Sequence, residues 1–175
     1  MANLSASEDY FQFFGLNPQF QVNVAELDRA YLAVQKEVHP DRHARGTESE
    51  QRLAMQLATL ANTAYQTLKN PIQRGLYLCE LHGVNAQLET NTAMPAAFLL
   101  QQIAWRENLE EHEDNLAALA ILSQEVRLSY QDTMAELTEA IDRAGNFVRA
   151  AELLRGLLFI DKFATELDDA TADLA

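Results

Sequence analysis

EVHPDRHARG, residues 37–46, lies between two segments whose apolar residues recur at helical spacing. In NVAELDRAYLAVQKEV, residues 23–38, Leu27, Tyr31, Val34 and Val38 fall at i, i+4, i+7 and i+11, one stripe of an amphipathic helix. Asn23 with Glu26 three residues on provides a cap at its start. Pro40 stops it, because proline pushes the residue before it, His39, out of helical geometry. Beyond the loop, Thr47 and Glu50 match a capping box. Leu53, Leu57, Leu60, Ala64 and Leu68 then draw the stripe of a second helix. Two such helices joined by a short polar loop pack antiparallel. The spacing therefore predicts a hairpin that displays His39, Pro40 and Asp41 at one end.

The rest of the chain reads outward from this hairpin. Tyr10, Phe11, Phe14 and Leu16 belong to a short leading helix that caps the pair. Asn70-Pro71 supplies a cap and a first-turn proline for a helix that runs to about His82. Gly83 to Met94 is polar and without a sustained apolar period, the pattern of a linker. Three helical patterns follow: Pro95 to near Asp114, about Asn115 to Arg143 with a stop at Gly145, and Asn146 to about Asp169. No segment reads as a strand. The expected fold is all-α, with one unit over 1–82, a linker over 83–94 and an antiparallel three-helix bundle over 95–175.

Composition narrows the function. The chain has 175 residues, 48% of them hydrophobic, enough for one or two modest cores. A net charge of −13 argues against nucleic acid, since phosphate contacts need a basic face, and against an anionic membrane surface. The charge is uneven: residues 1–83 carry 7 basic and 9 acidic side chains, residues 84–175 carry 6 and 17, which suggests two units with different roles. The single Cys79 excludes a disulfide framework and any Cys-rich metal site made by one chain. MANLSASEDYFQFF has neither a basic start nor a signal-length apolar stretch. The longest apolar run, Leu116 to Leu122, falls far short of a membrane span of about 20 residues. The expectation is a soluble, cytoplasmic protein.

Chemistry of its own is poorly supported. His39, Asp41 and His43 offer nitrogen and oxygen ligands, and a small metal-dependent enzyme is the reading they invite. However, Pro40 prevents the two histidines from pairing at i, i+4 on a regular helix, and His82 and His112 stand apart. No metal is expected. Cys79 in LYLCEL reads as a buried small hydrophobe rather than a reactive thiol. The six glycines form no phosphate loop and no nucleophile elbow. Glu107, Glu110, Glu111, Glu113 and Asp114 read as a solvated helix face.

Binding surfaces remain. Arg29 and Lys36 fall almost opposite their helix's apolar stripe, beside the loop with His39, Asp41, Arg42 and Arg45. Two cations alone make an ordinary wet face; next to a displayed His-Pro-Asp loop they become a candidate docking face. In the second unit Phe98, Trp105 and Leu109 form one stripe, while Leu99, Leu100 and Ile103 form another well around the same helix. Either the other helices bury both stripes, or the second is an exposed apolar patch rimmed by Glu107, Glu110 and Glu111, the mark of a protein-docking site. Phe159 and Phe163 raise the same question, lying off a Leu154/Leu158 stripe.

A helix, His-Pro-Asp and a second antiparallel helix resemble the J domain, the module by which co-chaperones engage ATPase chaperones of the DnaK class. DYFQFFGL, ANTAYQTLKNP, RGLYLCELHG, AAFLLQQIAWRENLEE and GLLFIDKF extend the resemblance to the HscB family along essentially the whole chain. HscB proteins are J-type co-chaperones of iron–sulfur cluster assembly. The resemblance implies that residues 1–82 form a J domain, and that His39, Pro40 and Asp41 stimulate ATP hydrolysis by a partner, HscA, with Arg29, Lys36 and Arg42 assisting. It implies that the bundle holds the scaffold protein IscU through Leu99, Leu100, Ile103, Glu107, Glu111 and Phe159. No cofactor and no enzymatic activity of the chain's own are implied. Arg42 stands where the family commonly has lysine, which keeps the charge with a different donor geometry. Ala104 replaces a frequent acidic residue. The alternative is a general J-domain co-chaperone whose bundle takes other clients.

Overall fold

The computed structural model describes residues 9–38, 46–86 and 94–174. Every regular element among the described residues is helical: α1 (Tyr10–Phe13), α2 (Val24–Val38), α3 (Glu48–Lys69), α4 (Pro71–Leu81), α5 (Ala96–Glu111), α6 (Leu116–Thr138) and α7 (Phe147–Ala172). They fall into two compact units, Met1–His82 and Gly83–Ala175. No helix among the described residues is long and apolar enough to cross a membrane.

In the first unit the expected caps form. The Asn23 side chain accepts from the backbone of Ala25 and Glu26. Thr47 and Glu50 complete a reciprocal capping box, each bonding the other's backbone N–H, and satisfy donors that a helix start leaves orphaned. Asn70 caps α4 ahead of Pro71. On α2, Leu27 and Val38 are buried, and Tyr31 and Val34 are half-buried, as their spacing requires.

The stripe expected on α3 needs correction. Leu53 is 53% exposed and Leu60 only half-buried, whereas Ala54, Leu57, Ala61, Ala64 and Leu68 are buried. The inward line runs one residue further round, through alanines. Small side chains at the seam let α3 lie close against its neighbours, so size alone misleads when the stripe is drawn from the larger residues.

Polar side chains lock the edge of the α2–α3 seam. The Tyr31 and Tyr65 rings stack with centroids 4.1 Å apart. Tyr31 Oη donates to Asn62 Oδ1 at 2.8 Å, and Gln35 Nε2 donates to both. Tyr65 Oη donates to Asp28 Oδ1 at 2.7 Å, and Lys69 approaches the same carboxylate at 3.4 Å. The Tyr65 hydroxyl, then Lys69, hold the Asp28 carboxyl below its ordinary range. That contribution to stability is therefore present above the ordinary carboxylate range and is lost as pH falls through the lowered value. At the other end Tyr10 stacks on Tyr77, centroids 4.4 Å apart, and its backbone N–H donates to the Tyr77 hydroxyl.

The second unit is built from α5, α6 and α7. Asn115 caps α6 by accepting from Ala117 and Ala118. The end of α6 widens into a π-helical turn, Glu139–Arg143, closed by Gly145 at φ +60°, a left-handed position that favours glycine. The core gathers Trp105 of α5, Leu119, Leu122 and Val126 of α6, and Ile160, Phe163 and Leu167 of α7. Trp105 stacks on Phe163 with centroids 5.6 Å apart, and its Nε1 donates to Glu125 at 2.8 Å. Leu154 is buried but Leu158 only half-buried; Leu153 and Leu157 complete the inner face of α7 instead.

Trp105 is the only tryptophan, so its fluorescence reports the second unit alone. Phe163→Ala removes the ring it stacks on and should destabilise that unit by about 3–5 kcal/mol. A urea titration followed at Trp105 reads this directly; an unchanged midpoint would contradict the packing.

Candidate functional site

Two faces emerge, one on each unit. On the first, Arg29 and Lys36 of α2 are both exposed, as expected. Arg29 is steadied by a bond from its Nε to the Ala25 carbonyl at 3.2 Å. His39, Pro40, Asp41, Arg42, His43 and Arg45 lie outside the described residues, which stop at Val38 and resume at Gly46. On either side of them stand a buried Val38 at the end of α2 and the Thr47 capping box at the start of α3. Sequence reasoning passed over Leu32. It is 61% exposed and sits off the inward stripe, which is the signal that was there to be read.

On the second unit the question of the two stripes is resolved. Trp105 is buried, with Phe98 and Leu109 packed partly against the core. Leu99, Leu100 and Ile103 remain 46%, 67% and 51% exposed. At about 100° per residue, Leu100, Ile103, Ala104, Glu107 and Glu111 share the outward face, with Leu99 at its edge. Phe159 and Phe163 part company: Phe163 is fully buried against Trp105, while Phe159 is 45% exposed. Phe159 meets Phe98 edge-on at 6.2 Å, which brings α7 into the margin of the α5 face. Glu107, Glu110 and Glu111 are exposed along the same helix. The result is an apolar surface with an acidic rim.

Beside Phe98 a cleft of about 460 Å³ opens where the start of α5 meets α6 and α7. Its two arginines are held differently, and the buried Arg155 Nε finds no hydrogen-bond partner among the described residues. Arg149 bonds Glu136 at 3.0 Å and Glu152 at 3.1 Å, and Arg155 donates to the Ala86 carbonyl at 2.9 Å. Cys79 is fully buried in α4, and burial pushes its thiol up to about 11. Among the described residues no group of three or more His, Cys, Asp or Glu side chains is placed to hold a metal ion. The described surface thus presents a basic helix face on one unit and an acidic-rimmed apolar face on the other.

Known proteins resemble this chain along nearly its whole length. Residues 94–168 match the family model of the HSCB C-terminal oligomerisation domain. The co-chaperone protein HscB homolog of Ralstonia nicotianae is 45% identical over 174 residues, covering 95% of this chain and 96% of that one. The solved structure of chaperone HscB from Vibrio cholerae superposes with a TM-score of 0.82 at 32% identity, covering 95% of this chain and 99% of that one. Human co-chaperone protein HscB gives 0.86 at 29% identity, covering 94% of this chain and 82% of that one.

A thiol pushed to about 11 and shielded from solvent is a poor nucleophile at neutral pH. Cys79 of the native chain should therefore resist dithionitrobenzoate at pH 8 and react fully once unfolded in urea. Rapid labelling of the native chain would contradict its placement.

Proposed function

The chain belongs to the HscB family of co-chaperones, and on that premise we propose that it brings the iron–sulfur scaffold protein IscU to the DnaK-class chaperone HscA and stimulates ATP hydrolysis there. The observation that carries this reading is the outward face of α5, where Leu99, Leu100 and Ile103 stay exposed beside Glu107 and Glu111. An apolar surface rimmed by carboxylates fits a partner with an apolar face and basic surroundings. Phe159 extends that face from α7, and Ala104, where relatives often carry an acid, leaves it less charged.

In this reading the first unit is a J domain over 1–82 and residues 95–175 form the scaffold-binding bundle. His39, Pro40 and Asp41 act on the chaperone's ATPase site, not on any substrate of the chain itself, so the protein needs no cofactor. Arg29, Lys36 and Arg42 steer and orient the encounter with an acidic chaperone surface. Such complementarity raises association rate and fixes register more than it sets affinity. The charge division supports two partners, since the carboxylates are concentrated beyond residue 83 and the α2 face is basic. Joining both faces in one chain raises the effective concentration of scaffold near chaperone. The work is done in the cytoplasm.

The test is the ATP turnover of HscA with the full chain and IscU. The chain alone should hydrolyse no ATP, yet should accelerate HscA, and more so with IscU present. His39→Gln should abolish the acceleration while leaving IscU binding intact. Leu99→Ala and Phe159→Ala should weaken IscU binding at least tenfold, or about 1.4 kcal/mol. Because both side chains are only about half buried, each change should cost the fold no more than about 1–2 kcal/mol. An unchanged rate with His39→Gln refutes the role of the tripeptide. Unchanged IscU binding refutes the docking face and favours other clients.

A further inference from the structure

α2 has three differently occupied sides. Leu27, Tyr31, Val34 and Val38 face the core. Asp28 and Gln35 are tied along one flank to Tyr65, Asn62 and Tyr31. At about 100° per residue, the arc left over holds Ala25, Arg29, Leu32, Ala33 and Lys36, all of them exposed. This strip carries both cations of α2 and no carboxylate; Glu26 and Glu37 lie at its border. Leu32, 61% exposed, falls between Arg29 three residues before it and Lys36 four residues after. The two alanines keep the surface around it low, so another protein can come close to the helix.

A lone exposed leucine is ordinary on a protein surface. One set between two cations on a strip free of carboxylates has a natural occupant: an acidic protein surface with an apolar pocket. We propose that Leu32 is an apolar anchor for the ATPase chaperone, seated in a pocket rimmed by that partner's carboxylates; this rests on the reading of α2 as the chaperone-facing helix. The division of labour is physical. Arg29 and Lys36 act at a distance, are screened by salt and mainly set the association rate. Leu32 gains its contribution only when water is expelled at contact, so it slows dissociation and is nearly insensitive to salt.

The experiment titrates the full-length chain into HscA and reads ATP turnover at low and high salt. For Leu32→Gln the half-maximal concentration should rise about tenfold, equivalent to about 1.4 kcal/mol. The maximal stimulated rate and the salt dependence should stay at wild-type values. Leu32→Met, which keeps an apolar side chain of similar volume, should restore the wild-type curve. Arg29→Ala should instead flatten the salt dependence. A Leu32→Gln curve that superimposes on a stimulating wild type overturns the anchor and leaves the chaperone reading standing. A wild-type chain without effect on turnover removes both.

Discussion

The stack of Trp105 on Phe163, centroids 5.6 Å apart, determines which side of α5 turns inward. α5 carries apolar side chains around much of its circumference, and a helix on the surface of a three-helix bundle can bury only one arc. With Trp105 committed to the core and its indole N–H satisfied by Glu125, Leu99, Leu100 and Ile103 have nowhere to go but solvent. The exposed apolar face is thus a consequence of the core. The same stack separates Phe163 from Phe159 one turn earlier on α7, leaving the latter to meet Phe98 at the margin.

The first unit reaches a comparable result by different means. Its seam is finished with hydrogen bonds and ring stacking, Tyr31 on Tyr65 and Asp28 with Tyr65 and Lys69. These fix α2 against α3 without spending the outward arc of α2. That arc is therefore exposed and carries both cations of α2. The two units thus present faces of opposite character, one basic and one apolar with an acidic rim.

Much of this was legible in the sequence, because capping and breaking residues act locally. Asn70-Pro71, the Thr47/Glu50 box, Asn115 and Gly145 mark helix ends through bonds and dihedrals that need no tertiary context, and each end falls where they place it. The α3 stripe was misdrawn because packing at a close seam selects alanines over leucines. The π-helical turn at Glu139–Arg143 has no compositional signal. Which of the two α5 stripes goes inward depends on what the other helices offer, and periodicity within α5 carries no such information. Leu32 fits no stripe, so periodicity alone gives it no role.

The proposed delivery requires both faces on one molecule. The most direct measurement compares HscA turnover, at limiting IscU, with the wild-type chain and with an equimolar mixture of two variants. One variant carries His39→Gln and keeps the scaffold face; the other carries Leu99→Ala and Phe159→Ala and keeps the loop. Tethering predicts that the mixture stays near the rate given by the loop-bearing variant alone, well below wild type. A mixture that matches wild type would show that the faces work independently, and delivery by a single chain would be contradicted.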